Sequence, residues 1–531
     1  MKFKDLTDVD IEYLEHIYYE NMKHVQKMEI LSKKFKVTKR TIRRWWKEEL
    51  KLTERFSTLP QQLQDAQKRE IKKGTNIVLY TSAQNKTGIN STFLENLTAF
   101  KIFLTDLGYK VEIIISPQRY RNPTSPSESD RKKAQLWWVD EVVPYLFYGK
   151  YQFGDTLIST DSRIRPTAKD PLIGYEVLAK DNNLVLPHSK IHFKTLPRFK
   201  GHPLRTMSTT GYITNKNYSD SKAGETAWEH HSYGFVIIEK KKDGTCHVPR
   251  NVKVKSDGSF IDINKEVKNG EVSIIDKCDA IVMGDIHASE VNDTVLDKSF
   301  ELFSLIKPDK IVLHDVFDGS TVNPHEVKDM YIQRQKIKEN KYLVEDEIKH
   351  SFDVIDLISK YTNEVHISIS NHDVFLDRHI NDGNWKKDLH NSPAYLKYAY
   401  IQQTEDLSDC GNIYGYLLNE RFKNKPVFYM SYGDSLRIQG YECALHGEHG
   451  TNGSRGSYKQ FSRLNTKMIH AHTHSPILFN SVTVVGVSCN INQYYTRRGL
   501  SSWAYAHSII HPNGKNQLLV LGDDLKISGL V

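Results

Sequence analysis

No apolar run in this sequence approaches the length that crosses a bilayer, so no transmembrane helix is expected. The start, MKFKDLTDVDIEYLEH, mixes both charge signs and has no apolar h-region, which argues against a secretion signal. Cysteine is sparse. Cys246, Cys278, Cys410, Cys443 and Cys489 are scattered with no CxxC pair, which suits a reducing compartment and argues against a thiolate zinc site. No internal repeat or low-complexity tract is present. TSAQNKTGIN lacks the paired glycines and the Gly-Lys-Ser/Thr ending of a P-loop. These absences point to a cytoplasmic chain with no membrane partner.

What is there begins with length. A chain of 531 residues exceeds one core, so two or three domains are expected: 1–60, 61–275 and 276–531. The net charge of +8 is modest, but its basic residues crowd the N-terminal segment. There ILSKKFKVTKRTIRRWWKEEL reads as two short helices around a turn at Val37, with Thr38 as N-cap. Ile30, Leu31 and Phe35 make one apolar stripe; Ile42, Trp45, Trp46 and Leu50 make the other. This is helix-turn-helix spacing, and Lys39, Arg40, Arg43 and Arg44 would line the face that meets DNA. The alternative is a solvated basic hairpin used for assembly.

The middle segment yields one βαβ unit: NIVLYTS, then FLENLTAFKIFLTDLGY, then KVEIIIS. The stretch 118–133 reads as an exposed loop, and YGFVIIE as a further strand. The expectation is an α/β domain with a structural or DNA-positioning role.

From about residue 276 the chain alternates strand-like and helical runs: DAIVMGD, DTVLDKSFELFSLI, KIVLHD, a long charged helix through Lys360, and VHISIS. Such alternation implies an α/β sheet, with ligands collecting past the carboxyl ends of strands. Polar clusters stand at those ends: Asp285 and His287; Asp315; Asn371, His372 and Asp373; His446; His472 and His474. A lone histidine is usually structural, but five such clusters in order point to a metal centre. Two divalent ions about 3.5 Å apart hold the attacking and leaving oxygens of a phosphate. A mixture of imidazole, amide and carboxylate suits Mn²⁺, Fe or Zn²⁺ better than Ca²⁺.

GDIH, HDVFD, SNHD, LHG and AHTH, in that order, resemble the motifs of the calcineurin-like metallophosphoesterases. The resemblance covers about half the chain and implies that fold for 276–531. Carried over, it implies one ion on Asp285, His287, Asp315 and His474, and a second on Asp315, Asn371, His446 and His472. Asp315 would bridge. His372 would protonate the leaving oxygen, and Asp373 would orient His372. The two ions would be Mn²⁺ first, with Fe, Zn²⁺ or Mg²⁺ as alternatives. Where the family carries glycine, this chain has His314, Ser370 and Ala471. LHGEHG offers both His446 and His449; His446, directly after the strand-like run, is the expected ligand.

Protein phosphatases of this family carry an arginine after the second motif, and HDVFDGS does not. The D-x-F-D form is more similar to SbcD-type repair nucleases. Arg497 and Arg498, after the last ligand motif, would either grip a phosphate beside the metals or form an ordinary surface pair. The layout also resembles the early-transferred, host-DNA-degrading proteins of T5-like phages. The function implied is a metal-dependent DNA nuclease, acting as a homo-oligomer in the host cytoplasm. The alternatives are a small-nucleotide phosphodiesterase and a DNA-binding or DNA-transfer scaffold with a structural metal. An intact His372 argues against the scaffold, because a structural site needs no acid.

Overall fold

The computed structural model describes residues 2–19, 24–50, 61–120, 137–324, 326–464, 466–493 and 499–529. It divides into two compact units, Met1–Asp65 and Ala66–Val531.

In the first unit, helices His24–Phe35 and Lys39–Arg44 flank a short turn, the second running on as a wider coil over Trp45–Glu49. Thr38 caps the second helix, its hydroxyl accepting from Thr41 N at 3.2 Å. The apolar stripes meet in one small core containing Leu14, Met28, Leu31, Phe35, Ile42, Trp45 and Trp46. Trp45 packs edge-on against Phe3 and Phe35, and Trp46 Nε1 donates to Leu14 O at 3.2 Å. Lys39, Arg40, Arg43 and Arg44 are all exposed. Lys39 reaches Glu29 at 3.3 Å, a surface pair of little energetic weight.

The second unit is mixed α/β. The βαβ unit forms as expected: Ile77–Gln84 and Val111–Gln118 pair in parallel, with helix Ser91–Asp106 between them. Gly234–Glu239 and Arg250–Lys253 complete that four-stranded sheet. A six-stranded sheet holds, in spatial order, Val427–Met430, Glu364–Ser368, Pro308–His314, Cys278–Val282, Ala506–Ile510 and Asn516–Val520. Its first four strands are parallel; Ala506–Ile510 runs against them, and Asn516–Val520 pairs antiparallel to Ala506–Ile510. Alternation along each strand gives the sheet two apolar faces. Ile281, Ile311, Leu313, Val365 and Ile367 join the helical core. Ala280, Val282 and Val312 meet Ile438, Tyr441, Ile469 and Val485 on the other side. The long charged helix reads instead as two, Met330–Lys338 and Val344–Ile358. Asn340, at φ 55°, turns the chain between them.

A domain boundary at residue 275 is not what the architecture shows. One ten-stranded sheet runs from Arg437–Ile438, Tyr441–Glu442, Lys467–His470, Val482–Val484 and Ile477–Phe479 into Phe193–Thr195, Thr206–Thr209, Asn183–Leu186, Thr156–Ser159 and Lys150–Phe153. The seam is the antiparallel pair Leu478 with Phe193 and Ile477 with Lys194. The middle and C-terminal segments therefore share a sheet rather than meeting across a linker. Among the described residues, no helix is long and apolar enough to cross a membrane.

Candidate metal centre

The carboxyl ends of three parallel neighbours deliver Asp285, Asp315 and Asn371 to one edge of the six-stranded sheet. Gly284 makes the first delivery possible. A Cβ there would stand 2.7 Å from Gly486 C and Val487 N, so only glycine lets the chain pass. Asp285 N then donates to Gly486 O at 3.0 Å, which fixes the turn. His446 and the His472–His474 turn arrive from the ten-stranded sheet, after Tyr441–Glu442 and Lys467–His470. His287, Asp315, His472 and His474 all hold positive φ, between 43° and 70°. Non-glycine residues seldom adopt that conformation, and such strain gathers at functional sites.

Asp285, His287, Asp315 and His474 bring their ligand atoms within 4.8 Å of one another, and all four are buried. His474 Nε2 lies 2.9 Å from Asp285 Oδ2 and 3.3 Å from His287 Nε2. His287 Nε2 and His446 Nε2 stand 3.5 and 3.3 Å from Asp315 Oδ2. Asp315 Oδ2 is thus the point on which both sides converge. His446 and His472 pack with ring centres 5.1 Å apart. His449 is exposed and packs on Tyr432, so it is His446 that the fold places in the cluster.

The donor set fits a divalent cation. Buried polar atoms are ordinarily hydrogen-bonded. Here Asp285 Oδ1, Asp315 Oδ1, Asn371 Oδ1 and both ring nitrogens of His446 have no hydrogen-bond partner. His287 Nδ1 lies 2.9 Å from Asp318 Oδ1, so its N–H donates outward and Nε2 faces the cluster. A carboxylate behind a metal-bound imidazole works in this way. The charges agree. Burial raises both carboxyls, but the surrounding imidazoles outweigh it: Asp285 falls to about 2, and Asp315 well below its ordinary value. Burial pulls His287 and His446 down, but Asp315 and its neighbours outweigh that and lift them to about 9 and about 10. Burial holds His472 down at about 4 and lowers His474 as well.

His372 is 16% exposed at the mouth of this group. Its Nδ1 donates to the Asp318 carbonyl at 2.5 Å, leaving Nε2 toward the cluster, 4.0 Å from Asp315 Oδ2. The orienting role expected of Asp373 falls elsewhere. Asp373 Oδ2 accepts from Ser370 N and Tyr429 Oη, each at 2.9 Å. Its position one residue beyond His372 in the turn sends it back into the core. Burial, then the charge of Asp315, raises its carboxyl to about 8.

Asp318, to which the motifs assign no role, holds His287 through its carboxylate and His372 through its carbonyl. The D-x-x-D spacing in HDVFD was the available signal. Glu347 carried no sequence signal. It accepts from Ser320 N at 2.7 Å and from Thr321 N at 3.0 Å, bracing the loop after Asp318. His314 is buried, both ring nitrogens lack partners, and its ring packs 5.6 Å from His446. Arg497 and Arg498 lie outside the described residues.

No protein-family model matches the chain, and no solved structure matches it. The chain is similar to Protein A1 of Escherichia phage T5, 27% identical over 465 residues, which span 85% of this chain and 82% of that protein. The expected likeness to a protein of T5-like phages is therefore found, while the metallophosphoesterase resemblance rests on the motifs.

Proposed function

We propose that this chain is a metal-dependent phosphodiesterase that cleaves DNA, encoded by a phage and acting in the host cytoplasm. The convergence of His287, His446 and His474 with Asp285 on the Asp315 carboxylate carries the reading. Divalent ions held there would supply charge for a phosphate and a nucleophile at neutral pH. Asp285, His287, Asp315 and His474 would hold one; Asn371, His446 and His472 would join Asp315 for the other. The chain's own work lies around them. Asp318 fixes the His287 ring, and its carbonyl accepts from His372 Nδ1–H, so Nε2 is the nitrogen from which His372 can give a proton. That atom faces the cluster, where a leaving oxygen would need it.

DNA is preferred to small nucleotides because of the first unit. Lys39, Arg40, Arg43 and Arg44 form an exposed basic face on a capped helix. Contacts with a phosphate backbone need such a face, and a small-nucleotide esterase does not. The likeness to a phage protein agrees with a role in infection. The deciding experiment incubates the purified chain with Mn²⁺ and either plasmid DNA or cyclic nucleotides, with chelated controls. Plasmid cleavage that chelation abolishes is expected. Cleavage of cyclic nucleotides alone would select the phosphodiesterase reading, and activity on neither would leave a scaffold.

A further inference from the structure

A second cationic centre lies at the opposite end of the sheets from the metal centre. Lys467 begins the strand whose far end leads to His472, five residues or roughly 17 Å away in extended chain. Its neighbours come from two other elements. Lys253 ends a strand of the four-stranded sheet, and Lys515 sits in the turn between Ala506–Ile510 and Asn516–Val520.

Asn516 is the hub. Its side-chain oxygen accepts from Lys253 Nζ at 2.6 Å. Its side-chain nitrogen donates to Thr483 Oγ1 at 2.8 Å and Ser508 Oγ at 3.1 Å, one in each of the two large sheets. The amide is held in one orientation and cannot swing to meet a ligand. Lys467 lies over the ring of its cross-strand partner Tyr441, with Nζ 5.0 Å from the ring centre. Lys253 and Lys515 are half-buried, and Lys467 is exposed. The group is therefore open on one side.

The charges are unbalanced. Burial lowers the Lys253 ammonium to about 7, and the charges acting on it are those of Lys515 and Lys467. Lys515 is lowered by burial, then by Lys467 and Lys255. The carboxylate that acts on Lys515 is Asp257, already engaged by Lys255 at 3.1 Å. Gathering like charges at a partly desolvated point costs stability unless an anion completes it. Ammonium groups act as point charges and suit a phosphate, whose several oxygens accept from several donors at once. A single carboxylate would leave more of the positive charge unmatched.

We propose that Lys253, Lys467 and Lys515, gathered about Asn516, form a binding site for a phosphate group, separate from the metal centre. The group comes either from a nucleic-acid backbone or from free phosphate or a nucleotide. The proposal does not rest on the nuclease reading.

The test compares thermal unfolding of the wild type and the double variant Lys467→Gln/Lys515→Gln, in inorganic phosphate and in chloride at matched ionic strength. Phosphate should raise the wild-type midpoint above its chloride value by mass action, and this rise should vanish in the variant. In chloride the variant should be at least as stable as the wild type, because repulsion has been removed. Equal protection of both proteins by phosphate would overturn the proposal, as would a variant less stable than wild type in chloride. Binding to a duplex of about 20 base pairs at several salt concentrations separates the two sources. A salt slope flatter by about 1.8 in the variant, two contacts at about 0.9 each, assigns the backbone. An unchanged slope with the phosphate effect lost assigns free phosphate or a nucleotide. Hydrolysis of bis-p-nitrophenyl phosphate reports on the metal centre alone and should be equal in the two proteins.

Discussion

In the proposed reaction Asp315 and His372 would do different work, and substitution should separate them. Asp315 stands between His287 and His446 with its Oδ2 within 3.5 Å of both. Asp315→Ala should therefore lose metal from both sides and abolish hydrolysis; a variant that still binds two ions and turns over normally would refute the assignment. His372 packs edge-on against the His287 ring at 4.9 Å and turns its Nε2 toward the cluster, 4.0 Å from Asp315 Oδ2. His372→Ala should keep its metal content and lose about 10²–10⁴-fold in rate, the scale of a positioned acid. Metal analysis beside single-turnover rates checks both. The residues that gather here were legible in the sequence because few side-chain types bind divalent ions and each followed a strand-like run. The roles of Asp318 and Asp373 were not. The His372 ring meets the backbone carbonyl of Asp318 rather than the Asp373 carboxylate because of how each turn directs the chain, and spacing alone does not encode that.

At the scale of elements, period was the reliable signal. The helical hairpin was readable because its apolar residues recur on one face, and both tryptophans enter its core. Its outer face should bind phosphates and do no chemistry. Replacing Lys39, Arg40, Arg43 and Arg44 by Ala should flatten the salt slope of DNA binding by up to about 3.6, four contacts at about 0.9 each. Hydrolysis of a small ester should persist. An unchanged slope would make the hairpin an assembly element. Trp45→Ala with Trp46→Ala is the contrasting variant: each loses a buried aromatic at about 3–5 kcal/mol, so circular dichroism should show the hairpin unfolded. The strands between Lys150 and Thr209 were not readable. They are three or four residues long and rich in Thr, Ser and Asn, too short for alternation to stand out.

At the scale of the whole molecule, the segments on either side of residue 275 belong to one compact unit and share a sheet. Sequence reading follows neighbours in the chain, while the seam pairs Phe193 with Leu478. A buried ion cluster ties the same segments together. Arg250 donates from Nε to Asp262 Oδ1 at 2.9 Å and from Nη2 to Asp262 Oδ2 at 2.8 Å. Its Nη1 reaches Glu239 and the Ser528 hydroxyl, and Gln517 Nε2 donates to Asp262 Oδ1 at 3.0 Å. Three middle strands and the C-terminal tail thus share one guanidinium. Arg250→Met leaves two buried carboxylates without their cation, at a cost of about 3–5 kcal/mol. The pH dependence has a defined sign. Burial raises the Asp262 carboxyl, but Arg250 outweighs it and holds the folded group below its ordinary value. Its contribution is then full above the unfolded pKa, about 3.9, and is lost as pH falls through the folded value. In Arg250→Met, burial is opposed only by the Lys265 charge and the Gln517 hydrogen bond, the folded carboxyl rises, and the variant should lose stability as pH increases from about 4 toward neutrality. Urea unfolding midpoints at pH 4 to 7 should therefore diverge with rising pH, the wild type holding and the variant falling. Parallel curves would show that the cluster does not tie the middle strands to the C-terminal tail energetically.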